Sequence, residues 1–236
     1  MQPKCSVSPE INLPARISPS ALRVPPCSAG PSSAYSLIEL LVVVAIIGFL
    51  SVLATAGLNS VSRSTKLANA AQRLGDQIAL ARQTAIARNL PVEVRLYKLP
   101  EFDVTTGGAS LWRGVQIFIM DGTIAVPASR LVLFPPRVII SENAAVSPLI
   151  QNSSTGLGAE ITPASNVGAF STDNVRYKSF TIRPNGTLAA SNSIPDANWF
   201  LTLHQENDPK PDGLKPANFV TVQINPVTSK VTILRP

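Results

Sequence analysis

From Leu37 to Leu58 the chain is apolar at almost every position, and Glu39 is the one charge in the run. At about 1.5 Å per helical residue the run spans roughly 33 Å, enough for a bilayer core of about 30 Å. It predicts a transmembrane helix. Further on the apolar pattern narrows. Leu67, Ala71, Leu74, Ile78, Ala81 and Ala85 recur at steps of three and four, while Arg63, Lys66, Arg73, Asp76 and Arg82 fall mostly on other faces. That spacing predicts an amphipathic continuation of the helix over 59–90, with a thin stripe of small residues turned inward. No proline occurs between Tyr35 and Leu90, so one helix from Ser36 to about Asn89 is expected. Pro91 ends it by disfavouring helix at the residue before it.

Beyond Pro91 the period changes to two. Val92-Glu93-Val94-Arg95-Leu96-Tyr97 alternates, Gly114–Met120 reads as a strand closing on an Asp121-Gly122 turn, and Arg130–Ile140 holds two apolar runs split by Pro135-Pro136. These are expected to form one antiparallel meander. Residues 141–174 are rich in Ser, Asn, Thr, Gly and Ala without sustained period, and read as a long loop or variable insertion. Strand patterns resume at Ser179–Arg183, followed by a Pro184-Asn185-Gly186 turn, and then at Trp199–His204, Phe219–Ile224 and Lys230–Leu234. The expected fold class is α+β: a long N-terminal helix, then a small antiparallel β-sheet domain over 91–236.

Composition sharpens the N-terminal end. Residues 1–34 carry seven prolines among many serines, a mixture that neither nucleates a helix nor buries a core, so they read as a disordered leader. Charged residues make up 14% of the chain and its net charge is +6. The leader holds Lys4, Arg16 and Arg23 against Glu10, and the remaining positive charge is spread thinly rather than gathered in a run. Ordinary solubility with a basic segment ahead of the apolar span accounts for it. Both cysteines, Cys5 and Cys27, precede the span, so a chain that loses its leader has neither a disulfide nor a thiolate metal site.

The residues Ala34-Tyr35-Ser36-Leu37-Ile38-Glu39 and the apolar stretch through Gly48 resemble the N-terminal cleavage and methylation motif of type IV prepilins and type II secretion pseudopilins. The signal is specific, because it places a carboxylate at one offset inside an apolar run. The resemblance implies a type IV pilin-like fold. It also implies that a prepilin peptidase cuts between Ala34 and Tyr35 on the cytoplasmic side, leaving Tyr35 as an N-methylated first residue. The family usually has Gly where Ala34 stands. A carboxylate in packed apolar helices is tolerable beside a cation, and the free amine of a neighbouring subunit's Tyr35 is one, so Glu39 would set axial register during assembly. Gly48 and Gly57 permit close helix approach and weaken the helix locally. Residues Phe180–Leu188, with the Pro184-Asn185-Gly186 turn, and the strands Phe219–Ile224 and Lys230–Leu234 resemble, more loosely, the H-type minor pseudopilins and FimT-like minor pilins.

Together these features lead to the expectation of a structural subunit of a type II secretion or type IV pilus-like fibre. It would be a single-pass inner-membrane protein with its β domain on the extracytoplasmic side. Its partners would be prepilin peptidase, the membrane, other pilin subunits through the N-terminal helix, and a secretion substrate. An alternative is a DNA-binding minor pilin, prompted by Arg176, Lys178, Arg183, Lys230 and Arg235. A third reading takes Ala54-Thr55-Ala56 as a signal-peptidase site releasing a soluble protein, although Glu39 is out of place in an ordinary signal peptide. No enzyme activity is expected. His204 is the single histidine, and no phosphate loop, two-histidine motif or Gly-x-Ser-x-Gly turn occurs. Glu206, Asp208 and Asp212, interrupted by prolines, read as a solvated loop, and no cofactor or metal is expected.

Overall fold

The computed structural model describes residues 35–100, 110–189, 194–208 and 216–235, without the side chains of 52–60. It divides into two units, Met1–Phe49 and Leu50–Pro236, each described by itself. The expected leader, 1–34, lies outside the described residues.

Helix α1 is assigned to Leu37–Arg88. In the second unit its inward stripe is Leu67, Ala70, Ala71, Leu74, Ile78, Ala81 and Ala85, all fully buried. These are the positions that recur at three- and four-residue steps, with Ala70 added. Four of them are alanines, so the helix axis can lie close to the strands it packs on. The helix stops at Asn89, whose φ of +51° reverses the chain just before Pro91.

Among the described residues ten strands follow: β1 Val92–Leu99, β2 Leu111–Asp121, β3 Ile124–Pro127, β4 Val132–Leu133, β5 Val138–Ile140, β6 Arg176–Ile182, β7 Leu188–Ala189, β8 Phe200–Gln205, β9 Phe219–Ile224 and β10 Val231–Leu234. They form two antiparallel sheets rather than a single meander. One has the order β3-β2-β1-β6-β7, with β4 also on β2, and the other the order β10-β9-β8-β5. The two apolar runs flanking Pro135-Pro136 therefore part company, because the prolines cannot continue a ladder and the chain changes sheet there. Alternation within each strand sorts the faces. Val92, Val94, Leu96, Ile117, Phe180 and Ile182 from the first sheet join Leu201, Leu203, Val220, Val222 and Ile224 from the second in one core with the α1 stripe. Tight turns join neighbours. Gly122, at φ +61°, links β2 to β3, and Gly186, at φ +80°, sits in the Pro184-Asn185-Gly186 turn after β6.

Residues 141–174 have little regular structure, and part of the segment is buried. Val146, Leu149, Ile150 and Leu157 are buried, and the last three enter the main core. Val167 caps a second apolar cluster on the opposite face of the first sheet with Tyr97, Leu99, Phe118, Val175 and Tyr177. The segment is held to β8 by the Ser141 N–H donating to the Thr202 carbonyl at 2.8 Å and by the Thr202 N–H donating to Ser147 Oγ at 2.9 Å. Polar side chains here replace a backbone ladder, which is why no period is visible.

Candidate functional site

The first unit carries the predicted assembly residues. Ser36 immediately precedes α1: its carbonyl accepts from the Glu39 N–H at 3.0 Å and from the Leu40 N–H at 3.2 Å. That makes Ser36 the N-cap and places Glu39 in the first turn, where a carboxylate faces the positive end of the helix dipole. The Ser-x-x-Glu spacing is that of a capping box, a local reason for a carboxylate at this offset that is independent of the register role. Tyr35 is 83% exposed at the helix entrance. Ala34, and with it the scissile bond, lies outside the described residues.

From Leu37 through Leu50 every side chain is exposed, and all except Glu39 are apolar or glycine. The apolar residues are not confined to one stripe: Ile38, Leu41, Val42, Val43, Val44, Ile46, Ile47 and Phe49 cover every face of the helix. A helix apolar all round is one that is normally buried, in the core of a large protein or in a membrane. Around Gly48 no atom lies within 4 Å of where a Cβ would be, so that face is open to a neighbour. Gly57, and the end of the predicted span from residue 52 to Leu58, belong to the helix stretch whose side chains are not described. Among the described residues no helix is long and apolar enough to cross a membrane.

The second unit holds the charged side chains that strand alternation alone did not expose. On the outer face of the first sheet the Arg95 guanidinium lies 4.1 Å from the Phe118 ring centre and 4.6 Å from that of Tyr177. Its Nε and Nη2 donate to one Glu93 carboxylate oxygen at 2.8 and 2.6 Å. Burial would lower Arg95, but the Glu93 carboxylate holds its basicity above the ordinary value. Burial also pushes the Tyr97 and Tyr177 hydroxyls up, against the pull of Arg95. A groove of about 510 Å³ opens beside these residues and the 162–168 segment. Its cation and carboxylate neutralise each other, so it has no net pull on an ion.

A second polar centre lies at one end of the core. Lys98 Nζ is 2.8 Å from Glu142 and 3.2 Å from Glu160, and these two carboxylates keep it above its ordinary value although burial opposes them. Lys178 is 1% exposed. Its ammonium donates to the Ile150 carbonyl and the Asn152 side-chain oxygen. Burial, aided by the Lys98 charge and opposed by Glu160 and Glu142, lowers Lys178 to about 8.

Of the five cations that prompted a DNA reading, Arg183 and Lys230 are exposed and the other three hydrogen-bond within the chain. Lys178 is interior. Arg176 Nη1 is folded back onto the carbonyls of Thr172, Asp173 and Val175. Arg235 is bonded to Ser64. His204 is buried, its Nδ1 2.7 Å from the Gln205 carbonyl. Asp208 Oδ2 accepts from the Gln205 N–H at 3.4 Å, and Asp212 lies outside the described residues. Among the described residues no group of three His, Cys, Asp or Glu side chains could hold a metal ion.

Comparison with known proteins returns a solved structure of low similarity. It is the crystal structure of the type IV minor pilin FimU of Pseudomonas aeruginosa strain PAO1, 17% identical, covering 73% of this chain and 89% of that one with a TM-score of 0.37. No family model and no curated protein matches. At that degree of similarity the match assigns neither family nor function, and a functional reading has to come from this chain's own residues.

Proposed function

We propose that this chain is a pilin-like fibre subunit anchored in the inner membrane by the first part of α1. The observation that carries the reading is the exposed helix beginning at Leu37, apolar on all faces with one carboxylate three residues into it, directly after the Ala34-Tyr35-Ser36 sequence. Before assembly that surface is satisfied by lipid, and after it by the helices of neighbouring subunits. Prepilin peptidase cleaves between Ala34 and Tyr35, and the new Tyr35 amine is then methylated. The Glu39 carboxylate, kept at the helix entrance by the dipole, meets the Tyr35 amine of an adjacent subunit. A one-residue slip along the helix moves that pair by about 1.5 Å, and it rotates Glu39 away from its partner, so the contact selects register. The β unit faces the extracytoplasmic side, and its role is assembly and contact rather than catalysis. Type II secretion and type IV pilus-like fibres both use this design.

The test is the N-terminal sequence and mass of the mature protein from cells with and without prepilin peptidase. A methylated Tyr35 that depends on the peptidase supports the reading. A start near Gly57 means signal-peptidase release of a soluble protein and overturns it. The DNA alternative loses Lys178, which is buried, from its set of cations, whereas Arg183, Lys230 and Arg235 are exposed.

A further inference from the structure

The amine of Lys178 is held against an amide that it can attack. Lys178 lies on the core side of β6, in line with Phe180 and Ile182, and is paired with Leu96 of β1. Its Nζ ends 2.5 Å from the side-chain oxygen of Asn152, a residue 26 positions earlier. The Ile150 carbonyl accepts from the same nitrogen and fixes its direction. Asn152 rides on a tied turn. The Leu157 N–H donates to the Leu149 carbonyl at 2.9 Å and the Gly158 N–H to the Gln151 carbonyl at 3.1 Å, and Gly156 leaves no room for a Cβ beside Pro148 and Gln151. Amine and amide are therefore brought together by two anchored segments, the arrangement that turns a slow bimolecular step into an intramolecular one.

The surroundings supply the rest of the chemistry. A lysine amine is a nucleophile only without its extra proton, and desolvation favours that form. Burial beside the Trp112 ring, 5.8 Å from Nζ to its centre, lowers Lys178 to about 8. Among the described residues the charged groups bearing on it are Glu160 and Glu142, which oppose the shift, and Lys98 of β1, which adds to it. We propose that Lys178 and Asn152 are a self-reacting pair, in which the lysine amine displaces ammonia from the asparagine amide and leaves an isopeptide bond between β6 and the 141–174 segment. The neutral Nζ attacks Cγ of Asn152, the Nζ–Cγ bond forms and the Cγ–Nδ2 bond breaks. One Nζ hydrogen passes to Nδ2, carried by Glu160, the carboxylate whose charge bears most on Lys178, and Nδ2 leaves as ammonia. No oxidant and no cofactor is consumed. Asn152 is exposed, so the ammonia has a way out. The bond ties a segment that lacks a ladder, as a disulfide does elsewhere, in a chain with no cysteine after Cys27. At neutral pH most of Lys178 keeps its proton, so the freshly isolated chain holds a free lysine that titrates, and the bond accumulates with time.

The experiment holds the full chain, folded in detergent, at about pH 9 and about pH 6, and follows intact mass and the tandem mass spectra of digests over days. The expected result is growth of a species lighter by about 17 Da, one ammonia, in which residues 152 and 178 are joined. It should form on the order of a hundredfold faster at the higher pH, the ratio of neutral amine that a pKa of about 8 sets. It should not form in guanidinium, where the two segments part, nor in Lys178→Arg or Asn152→Ala. Asn152 can also lose ammonia by closing on the backbone nitrogen of Ser153. That product has the same mass, but it yields no linked peptides and persists in Lys178→Arg. A loss of that kind alone, or a wild-type chain that keeps its full mass at the higher pH, overturns the proposal.

Discussion

Lys178 makes a sign-definite prediction about how stability depends on pH. Its ammonium sits inside the core end beside Trp112, at 5.8 Å from the ring centre, and burial holds its pKa at about 8 against an ordinary value of 10.5. A lysine depressed in the folded state disfavours folding whenever it must be charged. Below pH 8 both states carry the proton and the full cost is present. Between pH 8 and 10.5 the folded state has released its proton while the unfolded state keeps it, so stability rises with pH through this window. The whole gain is at most roughly 3 kcal/mol. Near pH 10 the direction turns, because the raised Tyr97 and Tyr177 hydroxyls, and above 10.5 the raised Lys98, retain protons that the unfolded chain loses. Lys178→Met removes the titration. It also strands the Ile150 carbonyl and Asn152, a loss of about 1–3 kcal/mol. At neutral pH that loss offsets much of the relief, and the net change is small. The clean observable is therefore the slope. Urea unfolding of the detergent-solubilised chain, monitored by tryptophan fluorescence, should show wild-type stability climbing from about pH 8 to 10 and the variant flat. A flat or falling wild-type curve, or an equal slope in Lys178→Met, would refute the reasoning.

Three further outcomes are expected. Ile78→Ala deletes a fully buried side chain of the α1 stripe, and the cavity should lower stability by about 2–5 kcal/mol in the same urea titration. Gly156→Ala puts a Cβ 2.8 Å from the Pro148 and Gln151 carbonyl oxygens. It should cost about 1–3 kcal/mol and loosen the 148–158 turn, seen as faster amide exchange at Leu157, whose N–H donates to the Leu149 carbonyl. Glu39→Ala should leave the urea midpoint unchanged and abolish incorporation into fibres, measured by sedimentation of sheared fibre fractions. Normal incorporation would remove the register role.

The sequence by itself determined what depends on near neighbours. The α1 stripe is legible because a helix brings residues three and four apart onto one face, and β1, β8, β9 and β10 are legible because a strand turns alternate residues the same way. The Ser36-to-Glu39 spacing and the apolar run behind it need no tertiary partner to be recognised. What only the tertiary structure decided depends on contacts between distant segments. The two runs around Pro135-Pro136 look alike as strings, yet β4 pairs with β2 and β5 with β8, because sheet membership is set by which edge is free when the chain arrives. Residues 141–174 read as a long loop or variable insertion, yet they bury Leu149 and Ile150 because side-chain hydrogen bonds to β8 take the place of a ladder. Lys178 reads as one more surface cation in an alternating strand. It became a buried one because the carbonyl of Ile150, 28 residues earlier, was brought to meet it, and no local pattern records so long a reach.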